Sequence, residues 1–366
     1  MQNFGLHRWK TGGVMTTHDE MKAEQSSPAR VKKAKRPTSH DVARLAGVAQ
    51  STVSYVLNDV QTVKISPETR DKVLDAAKQL GYIHNIAAAN LRMGRTSTLA
   101  LISDEIATTP FAGKIIKGAQ DYAWAHDKIL IIVNTDGDPV MSSTTIDTML
   151  KRRVDGIIYA AMHHQAITVP PALRETSAVL LDCYSTDRSL PSVVPDEVGG
   201  GQTATQLLIE KGHRRIGFIN LQTELSASIG RLAGYRQALV AAGIPFDSAL
   251  VCNGNSRADS GYMLTHELMN LADPPTALFC GNDNVAMGAY DALRELGKRI
   301  PDDVAVVGFD NQEIIAAYLR PALTTLELPH YAMGQWAVQY LLEAHQDADG
   351  PIQAILPCPV ILRASI

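Results

Sequence analysis

Polar residues stand at the ends of several short apolar runs in the chain beyond residue 98. Asp104 follows LALIS, Asp182 lies in VLLDC, Asn282 and Asp283 end ALFCGND, and Asp310 ends VAVVGFD. Carboxylates and an amide supply hydrogen-bond acceptors and donors at fixed angles, which suits a small ligand that carries many hydroxyl groups. One Asp after a strand is as often a turn or cap residue, so the repetition of the pattern is what indicates a ligand site.

The elements that must position these side chains are short apolar strands that alternate with helices. The strands are predicted in two series, at 99–103, 129–135, 154–161 and 179–183, and at 215–220, 249–253, 277–283 and 304–310. This alternation is typical of parallel sheets covered by helices on both faces. Two series predict two lobes, each a doubly wound α/β sheet, with the ligand at the carboxyl ends of the strands.

A helical module is predicted at 38–82. Its start and stop signals are a cap at Thr38 or Ser39, a glycine turn at Gly47, a start near Gln50, the sequence Ser66-Pro67-Glu68 and a stop at Gly81. Two short helices joined by a glycine turn predict a helix-turn-helix, whose second helix enters the major groove of DNA. The polar start of that helix favours DNA binding over a plain helical bundle. The predicted buried residues are Val42, Ala43, Leu45, Ala46, Val53, Val56, Leu57, Val73, Leu74, Ala77 and Leu80.

Charge is divided unevenly along the chain. The 366 residues have a formal net charge of −4. Residues 1–95 contain 15 Lys and Arg and 8 Asp and Glu, whereas the other 271 residues contain 19 Lys and Arg and 30 Asp and Glu. A basic segment joined to a larger acidic one is typical of a nucleic-acid-binding module with a separate domain. A basic run can also be a solvated tail, and residues 1–36 are predicted to be a mobile basic arm. The start codon can be that of Met1, Met15 or Met21.

Other classes of protein are disfavoured. The N-terminus lacks the apolar core of a secretory signal, and no apolar stretch reaches the ~18–20 residues that cross a bilayer. Four widely spaced cysteines predict reduced thiols in a cytoplasmic protein. Signature motifs of hydrolases, zinc proteases and P-loop enzymes are lacking, so we expect no enzymatic activity, metal or cofactor. The pair His163-His164 is predicted to lie in an exposed loop.

The segments DVARLAGVAQSTVSYVLN and VKISPETRDKVLDAAKQLGYIHN resemble the DNA-binding domain of the LacI/GalR family of bacterial transcription regulators. The resemblance continues through nearly the whole chain beyond the arm. It implies a hinge that folds on DNA and inserts Leu91 into the minor groove. Gln50 can pair with adenine, and Tyr55, where the family often has Arg, favours a different base. The implied DNA-binding residues are Thr38, Gln50, Ser51, Thr52, Ser54, Tyr55, Asn58, Asn85, Ala88 and Leu91.

The same resemblance implies a two-lobed body like that of periplasmic binding proteins, with an effector between the lobes. Ser256 stands where several members have an aromatic residue, and Pro195 and Glu197 are unusual neighbours of Asp196, a position that modulates specificity. With Phe111 as the one expected stacking platform, a sugar is favoured over a purine. The expected effector-binding residues are Asp104, Phe111, Asp182, Arg231, Ser256, Asn282, Asp310 and His330.

We therefore expect a small all-α helix-turn-helix domain followed by a two-lobed α/β body. The predicted ranges are an arm at 1–36, the helix-turn-helix domain at 37–84, a hinge at 85–96 and the body at 97–366, with crossovers near 190–196 and 322–330. The expected function is that of a repressor that binds palindromic operator DNA as a homodimer and responds to a sugar or sugar derivative. A purine or a phosphocarrier protein stays open as the effector, as does the direction of the response. A sugar-transport protein is disfavoured because it needs a secretory signal and no DNA-binding domain.

Overall fold

The computed structural model describes residues 37–58, 60, 62–82, 96–106, 113–343 and 350–366. The chain divides into two compact units, here called the head, which ends at Asn85, and the body, which begins at Ile86. The predicted arm, the predicted hinge up to residue 95, and Phe111 lie outside the described residues.

Three helices form the described part of the head, namely α1 (Ser39–Ala46), α2 (Gln50–Leu57) and α3 (Pro67–Leu80). Thr38 caps α1 in a capping box, since its hydroxyl accepts from the Asp41 amide and the Asp41 carboxylate accepts from the Thr38 amide. Gly47 has φ +68°, the left-handed conformation that lets the chain turn directly from α1 into α2. The short helices and their tight turn therefore follow from local signals in the sequence.

The centre of the head is apolar and small. Val42, Val53 and Val73 are completely buried, one from each helix. The predictions of burial for Leu45 and Leu74 were wrong, since these side chains are 51% and 47% exposed. At about 100° per residue, each leucine lies roughly a quarter turn or more from the centre of the buried stripe on its own helix.

The described body contains two six-stranded sheets. The first consists of β1 (Thr98–Ser103), β2 (Ile129–Asn134), β3 (Gly156–Ile167), β4 (Ala178–Ser185), β5 (Ser192–Pro195) and β11 (Gln353–Leu356). The second consists of β6 (Ile216–Asn220), β7 (Val251–Asn253), β8 (Ala277–Cys280), β9 (Ala305–Asp310), β10 (Thr324–Glu327) and β12 (Val360–Ile361). Their strand orders are β11-β5-β4-β3-β1-β2 and β12-β10-β9-β8-β6-β7. The strands pair in parallel except β12, which pairs antiparallel with β10 at one edge.

Helices cover both sheets, as the strand pattern predicts. They are α4 (Gly113–Ala125), α5 (Pro139–Lys151), α6 (Glu197–Glu210), α7 (Ser226–Ala241), α8 (Ala258–Met269), α9 (Asp283–Glu295), α10 (Glu313–Ala316) and α11 (His330–Leu342). Because both faces are covered, strands such as β9 are buried at successive residues rather than at alternate ones. Within the part of the chain that is described, no helix is long and apolar enough to cross a membrane.

The chain passes between the two sheets three times. It leaves the first sheet after β5, returns after β10 to place α11 against the first sheet, and leaves again between β11 and β12. The last passage, at 356–360, is one that the strand pattern did not predict. A two-residue antiparallel strand such as β12 carries too little apolar periodicity to be recognised before its neighbours are known.

Candidate functional site

A cleft of about 290 Å³ lies within the body and is lined by residues that follow strands of both sheets. Asp182, which lies within β4, and Asp310, the last residue of β9, face the same space, although they belong to different sheets. The structure brings together six of the eight sequence-predicted effector residues, which are Asp182, Arg231, Ser256, Asn282, Asp310 and His330.

Asp104 is not among the lining residues, which differs from the prediction. Its Oδ2 atom accepts a hydrogen bond from the Met162 amide at 3.0 Å, and its Oδ1 atom accepts one from the Glu105 amide at 2.6 Å. The carboxylate therefore ties the end of β1 to the middle of β3 beside the cleft. Phe111 lies outside the described residues, so its predicted role stays a prediction.

Three lining residues have left-handed backbone conformations without being glycine. The φ angles are +54° for Asp182, +66° for Ser256 and +103° for Asp310. Such conformations cost on the order of 1–3 kcal/mol each and persist where the surrounding structure imposes them, often at ligand sites. Six other described non-glycine residues share this conformation outside the cleft lining, so these three agree with a functional site but do not identify one by themselves.

Arg231 is the buried cation of the cleft and is already paired. Its Nε atom donates to Glu197 Oε2 at 2.7 Å, and its Nη1 atom donates to the Gly281 carbonyl oxygen. Nη1 also lies 3.6 Å from Asp310 Oδ1, and the guanidinium carbon lies 3.6 Å from the centre of the Phe309 ring. Both side chains of the Arg231–Glu197 pair are less than 5% exposed. The pair is therefore desolvated, and its charges depend on each other.

Close packing of α6 against α7 makes this pair possible. A Cβ atom on Gly230 would lie 2.5 Å from Cβ of Glu197, and one on Gly201 would lie 2.4 Å from the Arg231 carbonyl oxygen. Only glycine leaves room for this approach of the two helices. Glu197 is the first residue of α6, and the Asp196 carboxylate caps the helix by accepting from the Gly199 amide at 2.8 Å.

Burial raises the pKa values of carboxyl groups in and near the cleft. It raises the pKa of the Asp182 carboxyl well above its usual range, and the negative charge of Glu197 adds to the effect. Burial also raises the pKa of Asp310 to about 6, against the opposing influence of Arg231. Beneath the cleft, Asp283 accepts from the Thr325 hydroxyl at 2.7 Å, and burial raises its pKa to about 8. Such shifts are typical of functional sites.

Raising the pH from 6.5 to 9 is expected to destabilise the body by about 1–2 kcal/mol, since one pKa unit corresponds to about 1.4 kcal/mol. Asp310 and Asp283 bind protons more tightly when folded, so their contribution is complete below the unfolded pKa and is lost as the pH rises through about 6 and about 8. Urea unfolding at several pH values measures the fall. Asp283→Asn, which carries no charge at any pH, should show a flatter dependence, and an unchanged slope in that variant would contradict the assignment.

Several lining residues escaped prediction as ligand contacts. Glu197 is the second residue after β5, so the rule that polar residues near strand ends line a ligand site could have found it. His163 and His164 lie in β3, which continues to Ile167 past an irregularity after Ala160, so the prediction of a loop was wrong, although His163 is exposed as predicted. His164 is half-buried, burial lowers its pKa, and its Nδ1 atom lies 3.9 Å from Glu197 Oε1. The extension of β3 is set by pairing with β4, which a local pattern does not reveal.

Asn282 and Ser256 show that one residue can have both structural and site roles. Asn282 caps α9 by accepting from the Val285 amide at 2.8 Å, and its Nδ2 atom donates to the Ser256 carbonyl oxygen at 3.0 Å. The Ser256 hydroxyl donates to Gln222 Oε1 at 3.0 Å. These bonds connect the loop before α8 to the start of α9 on one wall of the cleft.

Comparison with known proteins gives two matches along the chain. Residues 38–85 match "Bacterial regulatory proteins, lacI family", and residues 205–366 match "Periplasmic binding protein-like domain". The HTH-type transcriptional regulator RegA of Clostridium saccharobutylicum is 35% identical over 306 residues, which are 83% of this chain and 91% of RegA. The chain belongs to the LacI family.

Solved structures of LacI-family members agree with the described fold. A lac repressor dimer bound to operator and the anti-inducer ONPF is 28% identical with a TM-score of 0.75, over 90% of this chain and 99% of that one. The transcriptional regulator CelR in complex with cellobiose is 31% identical with a TM-score of 0.63, over 90% and 100% of the two chains. These relatives are transcriptional regulators, so the protein is a LacI-family repressor and not an enzyme.

The helix that corresponds to the family's recognition helix is α2. Gln50, Ser51 and Tyr55 are exposed on it, and Thr52 and Ser54 are half-buried. Gln50 Nε2 donates to Ser39 Oγ at 2.9 Å, which holds the amide near the start of α1.

Two further predicted DNA contacts have structural roles in the head. Thr38 caps α1, and Asn58 Nδ2 donates to the Ser54 carbonyl oxygen at 2.6 Å at the end of α2. Asn85, Ala88 and Leu91 lie outside the described residues.

Proposed function

We propose that this LacI-family repressor binds a palindromic operator as a homodimer and is controlled by a sugar or sugar derivative in the cleft. Support for the DNA contacts comes from α2, where Gln50, Ser51 and Tyr55 are exposed on a helix, an element whose width fits the major groove. Two copies would place these helices about 34–36 Å apart on successive major grooves. Leu91 would enter the minor groove between the half-sites and kink the DNA.

The observation that carries the effector class is the chemistry of the cleft walls. Carboxylates and amides from both sheets line it, including Asp182, Asp310 and Asn282, and they can bind the hydroxyl groups of a polyol. No Phe, Tyr or Trp occurs among the lining residues in the described ranges. A purine ring gains much of its affinity by stacking on such side chains, so the walls favour a sugar over a purine. The relative CelR was solved with cellobiose, which is consistent with this choice.

Control of DNA binding would operate through the relative position of the two sheets. An effector that contacts both Asp182, in β4 of the first sheet, and Asn282, beyond β8 of the second sheet, favours one arrangement of the two lobes over another. The effector can change the operator affinity by no more than the ratio of its own affinities for the arrangement that binds DNA and the one that does not. The cytoplasm, where bacterial promoters are, is the proposed location.

Selection of binding sites from a random duplex pool tests the DNA-binding part directly. We expect a two-fold symmetric site whose affinity falls steeply with salt, because cationic side chains displace counterions from phosphates. A panel of neutral sugars and purine bases, added to the selected complex, then tests the effector class. Enrichment of no sequence would contradict sequence-specific binding, and a response to a purine alone would contradict the sugar assignment.

A further inference from the structure

The cleft has a net negative charge, and this charge restricts the ligands that it can bind. Glu197, Asp182 and Asp310 surround a single buried guanidinium, that of Arg231. With every group ionised, these four side chains sum to two negative charges. With a proton on Asp182, which burial favours, they still sum to one. The other described cationic lining residue, Arg257, is exposed at the mouth.

Glu197 already pairs with the guanidinium that an anionic ligand would need. The 2.7 Å bond from Arg231 Nε to Glu197 Oε2 uses one donor, and the Gly281 carbonyl oxygen uses an Nη1 donor. The face of the guanidinium is covered by the Phe309 ring. A phosphate or carboxylate could reach the Nε donor only by displacing a buried carboxylate that has no other cation within salt-bridge distance among the described residues except half-buried His164. An anion that used the remaining N–H groups of Arg231 would bring its charge next to Glu197 and Asp310, which already exceed the one guanidinium in charge.

We infer that Glu197 sets the charge selectivity of the cleft, so that it accepts uncharged polyols and rejects sugar phosphates and sugar acids. The inference rests on the proposed function, because it specifies which sugars the effector site can take. Its physical basis is that a buried ion pair resists the loss of one partner and that like charges in a desolvated site repel strongly. Asp182 adds a hydrogen-bonding group, since its Oδ1 atom is buried and has no hydrogen-bond partner among the residues that the structure describes.

Inorganic phosphate is the probe for this selectivity, because it carries the excluded charge without requiring a known sugar. Thermal unfolding of the body is measured with increasing phosphate and with chloride at matched ionic strength. The wild type should show no saturable difference between the two salts up to about 20 mM. Glu197→Gln should show saturable stabilisation, with the melting temperature about 3 °C higher at tenfold excess over Kd.

Asp182→Asn is the matched control. It removes a carboxyl from the same cleft but leaves the Glu197–Arg231 bond in place, and it should gain no phosphate response. The arm and head are identical in all variants, so phosphate bound there contributes equally to each. A folded Glu197→Gln variant without a phosphate response, or an equal response in Asp182→Asn, would overturn the inference.

A second measurement uses the wild type alone, in case Glu197→Gln does not fold. Glucose and cellobiose are compared with glucose 6-phosphate and cellobionate by calorimetry. Neither acidic compound should bind more tightly than its neutral parent, and tighter binding of either one would overturn the inference. Failure here is distinct from failure of the proposed function, because operator selection and the response to purines are measured separately.

Discussion

Replacing Arg231 by methionine is expected to lower the free energy of unfolding of the body by about 3–5 kcal/mol. The reason is that Glu197 and Asp310 would stay in the interior after losing the guanidinium that pairs with both. The Gly281 carbonyl oxygen would lose its donor as well. Urea unfolding followed by circular dichroism measures the loss. A change below about 1 kcal/mol would show that the pair is not desolvated in solution, as exposed pairs contribute that little.

Two companion variants separate the charge effect from general disruption of the cleft. Arg257→Met alters an exposed arginine at the same cleft and should change stability by no more than about 0.5 kcal/mol. Adding Glu197→Gln to Arg231→Met should recover at least half of the loss, because replacing both partners of a buried pair is often neutral. Failure of the double variant to recover would assign the cost to packing rather than to the unpaired carboxylate.

Replacing Val53 by aspartate is expected to unfold the head and to reduce affinity for the selected operator at least 100-fold. Val53 is completely buried in α2 between the other two helices. A buried carboxylate without a partner costs several kcal/mol, and a domain this small has only about 3–5 kcal/mol of stability to lose. Fluorescence anisotropy with labelled operator measures the affinity. The unfolding transition of the body should be unchanged, because the body is a separate compact unit.

Leu74→Asp is the control for the added negative charge. Leu74 is 47% exposed on α3, so its replacement should leave the head folded and operator affinity within about tenfold. If Leu74→Asp abolished binding as completely as Val53→Asp, charge repulsion from DNA rather than unfolding would explain both results.

The positive charge of residues 1–95, about a quarter of the chain, is itself unevenly distributed. Residues 37–84 hold five Lys and Arg and five Asp and Glu, so the net positive charge of residues 1–95 lies in 1–36 and 85–95. The helical part of the head, residues 37–84, therefore has no net charge and offers DNA the polar side chains of Gln50, Ser51 and Tyr55. Sequence preference is expected to come from these side chains and general electrostatic attraction from the flanking segments.

The amino-acid sequence by itself determined the head helices, the strand–helix alternation and most of the cleft. Thr38, Gly47 and Ser66-Pro67 act through hydrogen bonds and backbone preferences within a few residues, which is why they could be read locally. Asp182, Asn282 and Asp310 could be found because strand ends converge in any parallel sheet.

Only the tertiary structure decided which charged side chains come into contact. Glu197 and Arg231 are 34 residues apart and pair because glycines allow α6 and α7 to approach closely. Asp104 follows the strand-end rule yet accepts from the Met162 amide and is not among the lining residues, and the irregularity in β3 lies in the same stretch of that strand. Such contacts depend on packing between distant segments, where small differences in side-chain volume and register select the partner. The charge character of the cleft is set there and not in any local pattern.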